Sequence, residues 1–167
     1  YTYGFLTALK NGYVEVLTTF NGKTYKKGLF VYTTLDIGES EGNNTKDVAD
    51  VIAVSPADPT IGRFYKGTLT TGDTDWFKFT LNQGSLVNVG FLSQSSTADT
   101  RMELYSTSDD LLASAVSMNG QPLIFPVGLP AGDYFLKLMS AGDVDQTGNY
   151  IITYKIVGSF PAKGVVP

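Results

Sequence analysis

Apolar and polar residues alternate along most of this chain in short runs broken by Gly, Asn, Asp and Pro. The clearest run is GDTDWFKFTL, residues 72–81. Phe77, Phe79 and Leu81 fall on one face of an extended segment, and Trp76, Lys78 and Thr80 fall on the other. A period of two with a lysine on the second face predicts a strand with one side in a core and the other partly wet. The turn before it carries Asp73 and Asp75, which put acidic oxygens at the mouth of the strand, where a cation can sit.

The same period recurs downstream. Strands are expected over residues 64–69, 86–92, 101–105, 111–118, 122–127, 134–139 and 149–157. Their inward residues include Val87, Val89 and Phe91, then Met102 and Leu104, then Tyr134, Leu136 and Leu138, and last Tyr150, Ile152, Tyr154 and Ile156. Short, evenly spaced strands with no long helical pattern predict an all-β chain, an antiparallel β-sandwich of jelly-roll or Greek-key type. One helical turn is expected over residues 45–53, capped by Thr45.

The first 35 residues read differently. Asn11-Gly12 and Asn21-Gly22 separate β-rich runs, and Asn-Gly accepts the positive φ of a type I′ hairpin turn. A meander is expected over residues 3–9, 13–20 and 23–34, with Gly28 breaking or bulging its third strand. Leu29, Phe30, Val31 and Tyr32 are apolar on both faces, so this N-terminal meander needs cover from the sandwich or from a neighbouring chain. The organisation expected is a meander over 1–35, a sandwich over 36–157 and a tail or linker over 158–167.

Residues 36–50, DIGESEGNNTKDVAD, are the one strongly acidic segment. They read either as a linker or as a ligand loop. Glu39, Glu41, Asn43 and Asn44 supply the oxygen donors that a hard cation such as Ca²⁺ takes from irregular backbone. Asn43-Asn44-Thr45 is also a glycosylation sequon.

Composition narrows the chemistry. The chain of 167 residues has no histidine and no cysteine, so Ser–His–Asp and Cys–His devices, thiolate metal sites and disulfides are excluded. The net charge of −4 gives no electrostatic footprint for nucleic acid, and no apolar run is long enough to span a bilayer. Tyr1 is not an initiator methionine, which suggests a processed or excised piece, and the Thr, Ser, Gly, Asn and Tyr content suggests an extracellular or cell-surface setting. No catalytic group stands out, so the chain reads as a non-enzyme.

Four pieces carry a family resemblance: GESEGNNTKDVAD, GDTDWFKFTL, ADTRMELYSTSDDLLAS, and LPAGDYFLKL followed by GNYIITYKI. In this order they resemble the bacterial pre-peptidase C-terminal domain, a module often appended to secreted peptidases and related to the collagen-binding domains of collagenases. The resemblance spans residues 36–157. It implies a β-sandwich accessory module. It also implies a calcium site at Glu39, Glu41, Asn43, Asn44, Asp73 and Asp75, with Asn44 standing where relatives often have an aspartate.

Two roles fit. One is an accessory module binding an extracellular protein or polysaccharide through outward aromatics Trp76, Tyr105 and Phe135, with Ile151 also outward. A covered outer face, buried under the meander, is the competing expectation for those residues. The other role is a structural subunit of a surface layer or filament, assembling with copies of itself through its N-terminal β segment.

Overall fold

The computed structural model describes residues 12–31, 37–53, 63–70, 72–93, 99–118, 120–141 and 148–159. The chain divides into two compact units, Tyr1–Leu35 and Asp36–Pro167. The strand expected over 3–9, the side chains of residues 29–32 and the segment 160–167 lie outside the described residues.

In the first unit, β1 (Gly12–Phe20) and β2 (Lys23–Val31) form an antiparallel hairpin. Asn21 and Gly22 join them with φ of 47° and 71°, the paired positive angles of the I′ turn that Asn-Gly predicts. The expected bulge at Gly28 is absent. Gly28 pairs with Glu15 in unbroken register, because Glu15 opposite supplies the pairing and no extra residue needs accommodating.

Among its described residues the second unit holds ten strands: β3 (Ile37–Gly38), β4 (Asp50–Val51), β5 (Arg63–Leu69), β6 (Thr74–Leu81), β7 (Ser85–Ser93), β8 (Thr100–Tyr105), β9 (Leu111–Ser117), β10 (Leu123–Leu129), β11 (Gly132–Ser140) and β12 (Gly148–Ser159). They form two five-stranded sheets, ordered β10-β7-β12-β5-β3 (the first sheet) and β4-β6-β11-β8-β9 (the second). The pairs β5–β12, β6–β11, β7–β10 and β8–β9 nest one inside another, all antiparallel, and fall alternately in the two sheets. A long antiparallel ribbon rolled up in this way is the jelly roll.

Why these segments become strands is visible in β6. Its burial alternates, with Asp75, Phe77, Phe79 and Leu81 buried and their neighbours less so. The inward rows of both sheets meet in one core around Phe77, Phe79, Phe91, Leu136, Ile152 and Tyr154. The rings of Phe79 and Tyr154 pack across it at 4.9 Å.

The acidic segment is part of this sandwich. β3 adds to β5 in parallel at the edge of the first sheet, and β4 adds to β6 in parallel at the edge of the second. Residues 39–49 therefore cross from one sheet to the other like a clasp. Glu39 N donates to Lys66 O (2.9 Å), Trp76 N to Asn43 O (3.0 Å) and Ile52 N to Lys78 O (2.7 Å), so the clasp is stitched at both ends and in the middle. The helical turn is a single 3-10 turn, Lys46–Val48. Thr45 precedes it but makes no side-chain cap; its carbonyl accepts from Val48 N at 3.2 Å instead, which is all that one turn requires.

Candidate functional site

The clasp, β5, β6 and β12 meet at one end of the core. Tyr150 of β12 stands opposite Gly67 of β5. A Cβ at Gly67 would lie 2.2 Å from Tyr150 Cζ and 2.5 Å from Glu39 Oε2, so only glycine lets the phenol and the carboxylate come this close to the strand. The Tyr150 hydroxyl lies between two carboxylates. It is within donating distance of Glu39 Oε2 and of Asp75 Oδ2, the latter at 2.7 Å. Glu39 Oε1 accepts from Thr68 N.

One phenol has one proton, and two carboxylates face it. Burial drives the phenol pKa far above its ordinary value, reinforced by the charges of Asp75 and Glu39, so Tyr150 remains a neutral donor. Burial first, and then the neighbouring charges of Glu39 and Asp73, push Asp75 up to about 8 despite the Tyr150 hydrogen bond. Burial likewise raises Glu39. The cluster thus holds less positive charge than its carboxylates call for at neutral pH.

Asn43 and Asp75 are 2% and 1% exposed, and among the described residues Asn43 Oδ1 and Asp75 Oδ1 have no hydrogen-bond partner. The Asn43 amide nitrogen donates to Asp50 Oδ2 (3.3 Å), which also accepts from Ser40 N (2.7 Å). A neighbouring set lies in the turn before β6. There the Asn44 amide approaches Asp73 Oδ1 at 2.6 Å and Thr74 O at 3.2 Å. Its nitrogen faces both and donates to each. Asp73 is otherwise a turn residue, accepting from Thr74 N (2.9 Å) and from Thr70 N and Oγ1 (both 3.2 Å).

The six expected calcium ligands are therefore not one shell. Glu39 and Asp75 meet on Tyr150, Asn43 is buried beside β6, Asn44 meets Asp73, and Glu41 is exposed, acting on Glu39 through its charge. Asp75, read as a turn residue, lies inside β6 and points inward, because it continues the row of Phe77 and Phe79. Among the described residues no three acidic side chains form a ready metal cluster. The orphaned oxygens of Asp75 and Asn43 are what make the mixed set fit a hard cation. The sequon is not usable in this fold, since its asparagine, Asn43, is buried.

Sequence reasoning passed over Gly67, Thr68 and Asp50 and placed Tyr150 only in the core. A glycine isolated inside a strand pattern was the available signal for close approach at Gly67.

The expected aromatic surface is on the outer face of the second sheet. Trp76 and Tyr105 are half-buried there with rings 5.6 Å apart, and Lys137 Nζ lies 5.5 Å from the indole. Tyr105 donates to Glu103 Oε2 at 2.6 Å. Phe135 does not belong to an open surface. Lys46 reaches from the clasp across its ring at 4.5 Å to bond Asp109 (2.5 Å) and the carbonyls of Ser106 and Thr107, and Phe135 is buried beneath it. Ile151 is wholly buried as well. Alternation assigns a side chain to a face; it does not say whether that face is covered.

No family model matches the chain, and no curated protein matches it. Solved structures do. The pre-peptidase C-terminal domain of the collagenase from Bacillus anthracis is 21% identical and superimposes with a TM-score of 0.52, over 64% of this chain and 94% of that domain. A periplasmic inhibitor of g-type lysozyme from Aeromonas hydrophila is 14% identical, with a TM-score of 0.49 over 65% of this chain and 96% of the inhibitor. Nested strand pairing, two packed sheets and the collagenase superposition together give the chain the fold of a pre-peptidase C-terminal domain.

Proposed function

We propose that this chain is a non-catalytic accessory module of a secreted or cell-surface protein, held in its working shape by calcium and presenting the outer face of its second sheet to an extracellular protein or polysaccharide. The observation that carries the calcium reading is two buried oxygens without a hydrogen-bond partner among the described residues, Asp75 Oδ1 and Asn43 Oδ1, together with the Asp75 and Glu39 carboxylates that both face the Tyr150 hydroxyl. Glu39, Asn43 and Asp75 would hold the ion, with Asn44 and Asp73 adjoining. When bound, calcium would supply the positive charge that lets both carboxylates stay ionised. The residues do the rest. Tyr150 orients Glu39 and Asp75, Gly67 leaves room for both, and Thr68 N anchors Glu39. Because Glu39 and Asn43 belong to the clasp and Asp75 to β6, loading the site ties the clasp to the sandwich.

The test is a thermal melt with calcium and with chelator, on the parent chain and on Asp75→Asn. Calcium should raise the melting temperature of the parent by several degrees, as a ligand at about a hundred times its Kd adds ~2.7 kcal/mol. Asp75→Asn should lose that rise. Identical melts of the parent in calcium and chelator would dismiss the metal.

A further inference from the structure

Among the described residues the sandwich has four lateral strand edges, and three are guarded. β3 and β4 are two residues long and end the sheets on the clasp side. β10 carries Pro126, which has no N–H to offer a new neighbour. β9 is different. It ends the second sheet, runs LLASAVS, and has neither a charge nor a proline. Natural edges of this length usually bear a lysine, a proline or an inward charge to prevent pairing with another chain.

β9 also exposes apolar side chains: Leu111 at 54%, Leu112 at 42% and Val116 at 40%, with Met118 just beyond at 60%. The bulge at Leu112 distorts its first turn of pairing with β8, and Ala113–Ser117 then run in regular register. From Leu111 to Gly132 the chain has no Asp, Glu, Lys or Arg, so β9 and β10, which lie against each other, make one uncharged side on a chain of net charge −4. Pairing two copies through β9 brings no charged side chain of that strand against its like. A basic or acidic partner would gain nothing from this side. A second copy of the same uncharged strand fits it.

We propose that β9 is the docking edge for a second copy, paired antiparallel about Ser114, which would join the two second sheets into one continuous sheet. That register sets Leu112 of each copy opposite Val116 of the other and keeps Asp109 and Asp110 of the two copies apart. Such an isologous pairing closes on itself and yields a dimer rather than a filament.

The full chain lacks cysteine, so Ser114→Cys reports the register directly. Residues directly opposite across an antiparallel pair have Cα atoms about 4.5–5.5 Å apart, within disulfide reach. By sedimentation at about 100 µM, where a dimer of micromolar Kd is populated, the parent chain should run as a dimer. Leu112→Lys at the bulge and Val116→Asp beside Arg101 should run as monomers with melting temperatures near the parent's. Under oxidation Ser114→Cys should form a covalent dimer, and Asn82→Cys, exposed elsewhere, should not. A monomeric parent, a dimer that survives both β9 substitutions, or equal cross-linking at positions 114 and 82 would each overturn the proposal.

Discussion

At the scale of single residues, Asp75 is the informative group. Unfolded, its carboxyl titrates near 3.8; folded and free of calcium, near 8. Between those values the folded chain keeps a proton that the unfolded chain has lost. The contribution of Asp75 to stability in chelator is therefore full below about pH 4, falls as pH rises through that window and levels off above about pH 8. A series of melts in chelator should show that decline, and Asp75→Asn, which has no proton to lose, should flatten most of it. A parent curve that is flat from pH 5 to about 8 would count against the buried, shared-proton arrangement. Gly67 makes a second residue-scale prediction. Gly67→Ala puts a methyl into Tyr150 and Glu39, and forcing such an overlap costs roughly 1–3 kcal/mol. Denaturant titration should show that loss, together with a smaller calcium-induced rise in melting temperature, because the same displacement moves two groups of the site.

At the scale of elements, the clasp and β6 act as one unit. The clasp supplies an edge strand to each sheet and carries Glu39 and Asn43. β6 points Asp75 inward and Trp76 outward from adjacent positions. The candidate ion site and the candidate binding face are thus on opposite sides of one strand. Trp76 is the only tryptophan, which makes its fluorescence a clean report on that face. Titrating the chain with a polysaccharide or an extended peptide that stacks on the Trp76–Tyr105 pair should shift or quench the emission, and Tyr105→Ala should weaken that response about tenfold, the effect of losing one ring contact of ~1.4 kcal/mol. Emission that no such ligand changes would move the binding face elsewhere.

At the largest scale, the nested pairing ties the first long strand of the second unit to its last. β12 comes last in the described chain yet lies between β5 and β7, with Tyr150, Ile152 and Tyr154 in the core. Its partner β5 precedes it by some eighty residues, as in the pair Gly67–Tyr150. Contacts so distant in sequence form late and slowly. Ending the chain at residue 147 should abolish the cooperative unfolding transition rather than lower its midpoint, as circular dichroism would read. A truncated chain that still melts cooperatively would show that β12 is an addition to a smaller core.

Much of this was present in the order of the residues. The strands beginning near Arg63, Thr74, Ser85, Thr100, Leu111, Leu123, Gly132 and Gly148 follow from alternation, and so do the inward rows of β6, β7, β8, β11 and β12, because a strand's side chains have only two directions. Asn21-Gly22 specified its turn for an equally local reason: few residues accept two positive φ values in succession. Glu39, Asn43 and Asp75 stood out as oxygen donors on chemistry alone. What local pattern could not carry was the meeting of distant residues. Tyr150 reads as one more core aromatic until β12 pairs with β5 and brings its hydroxyl between Glu39 and Asp75. The acidic segment reads as a linker or a loop until its two ends find the edges of different sheets. Phe135 reads as exposed until Lys46, from the clasp, lies over it. Periodicity is a property of neighbours along the chain, so the sequence determined strands and faces. Burial, shared protons and covered faces are properties of neighbours across space, and only the rolled pairing of the strands decided those.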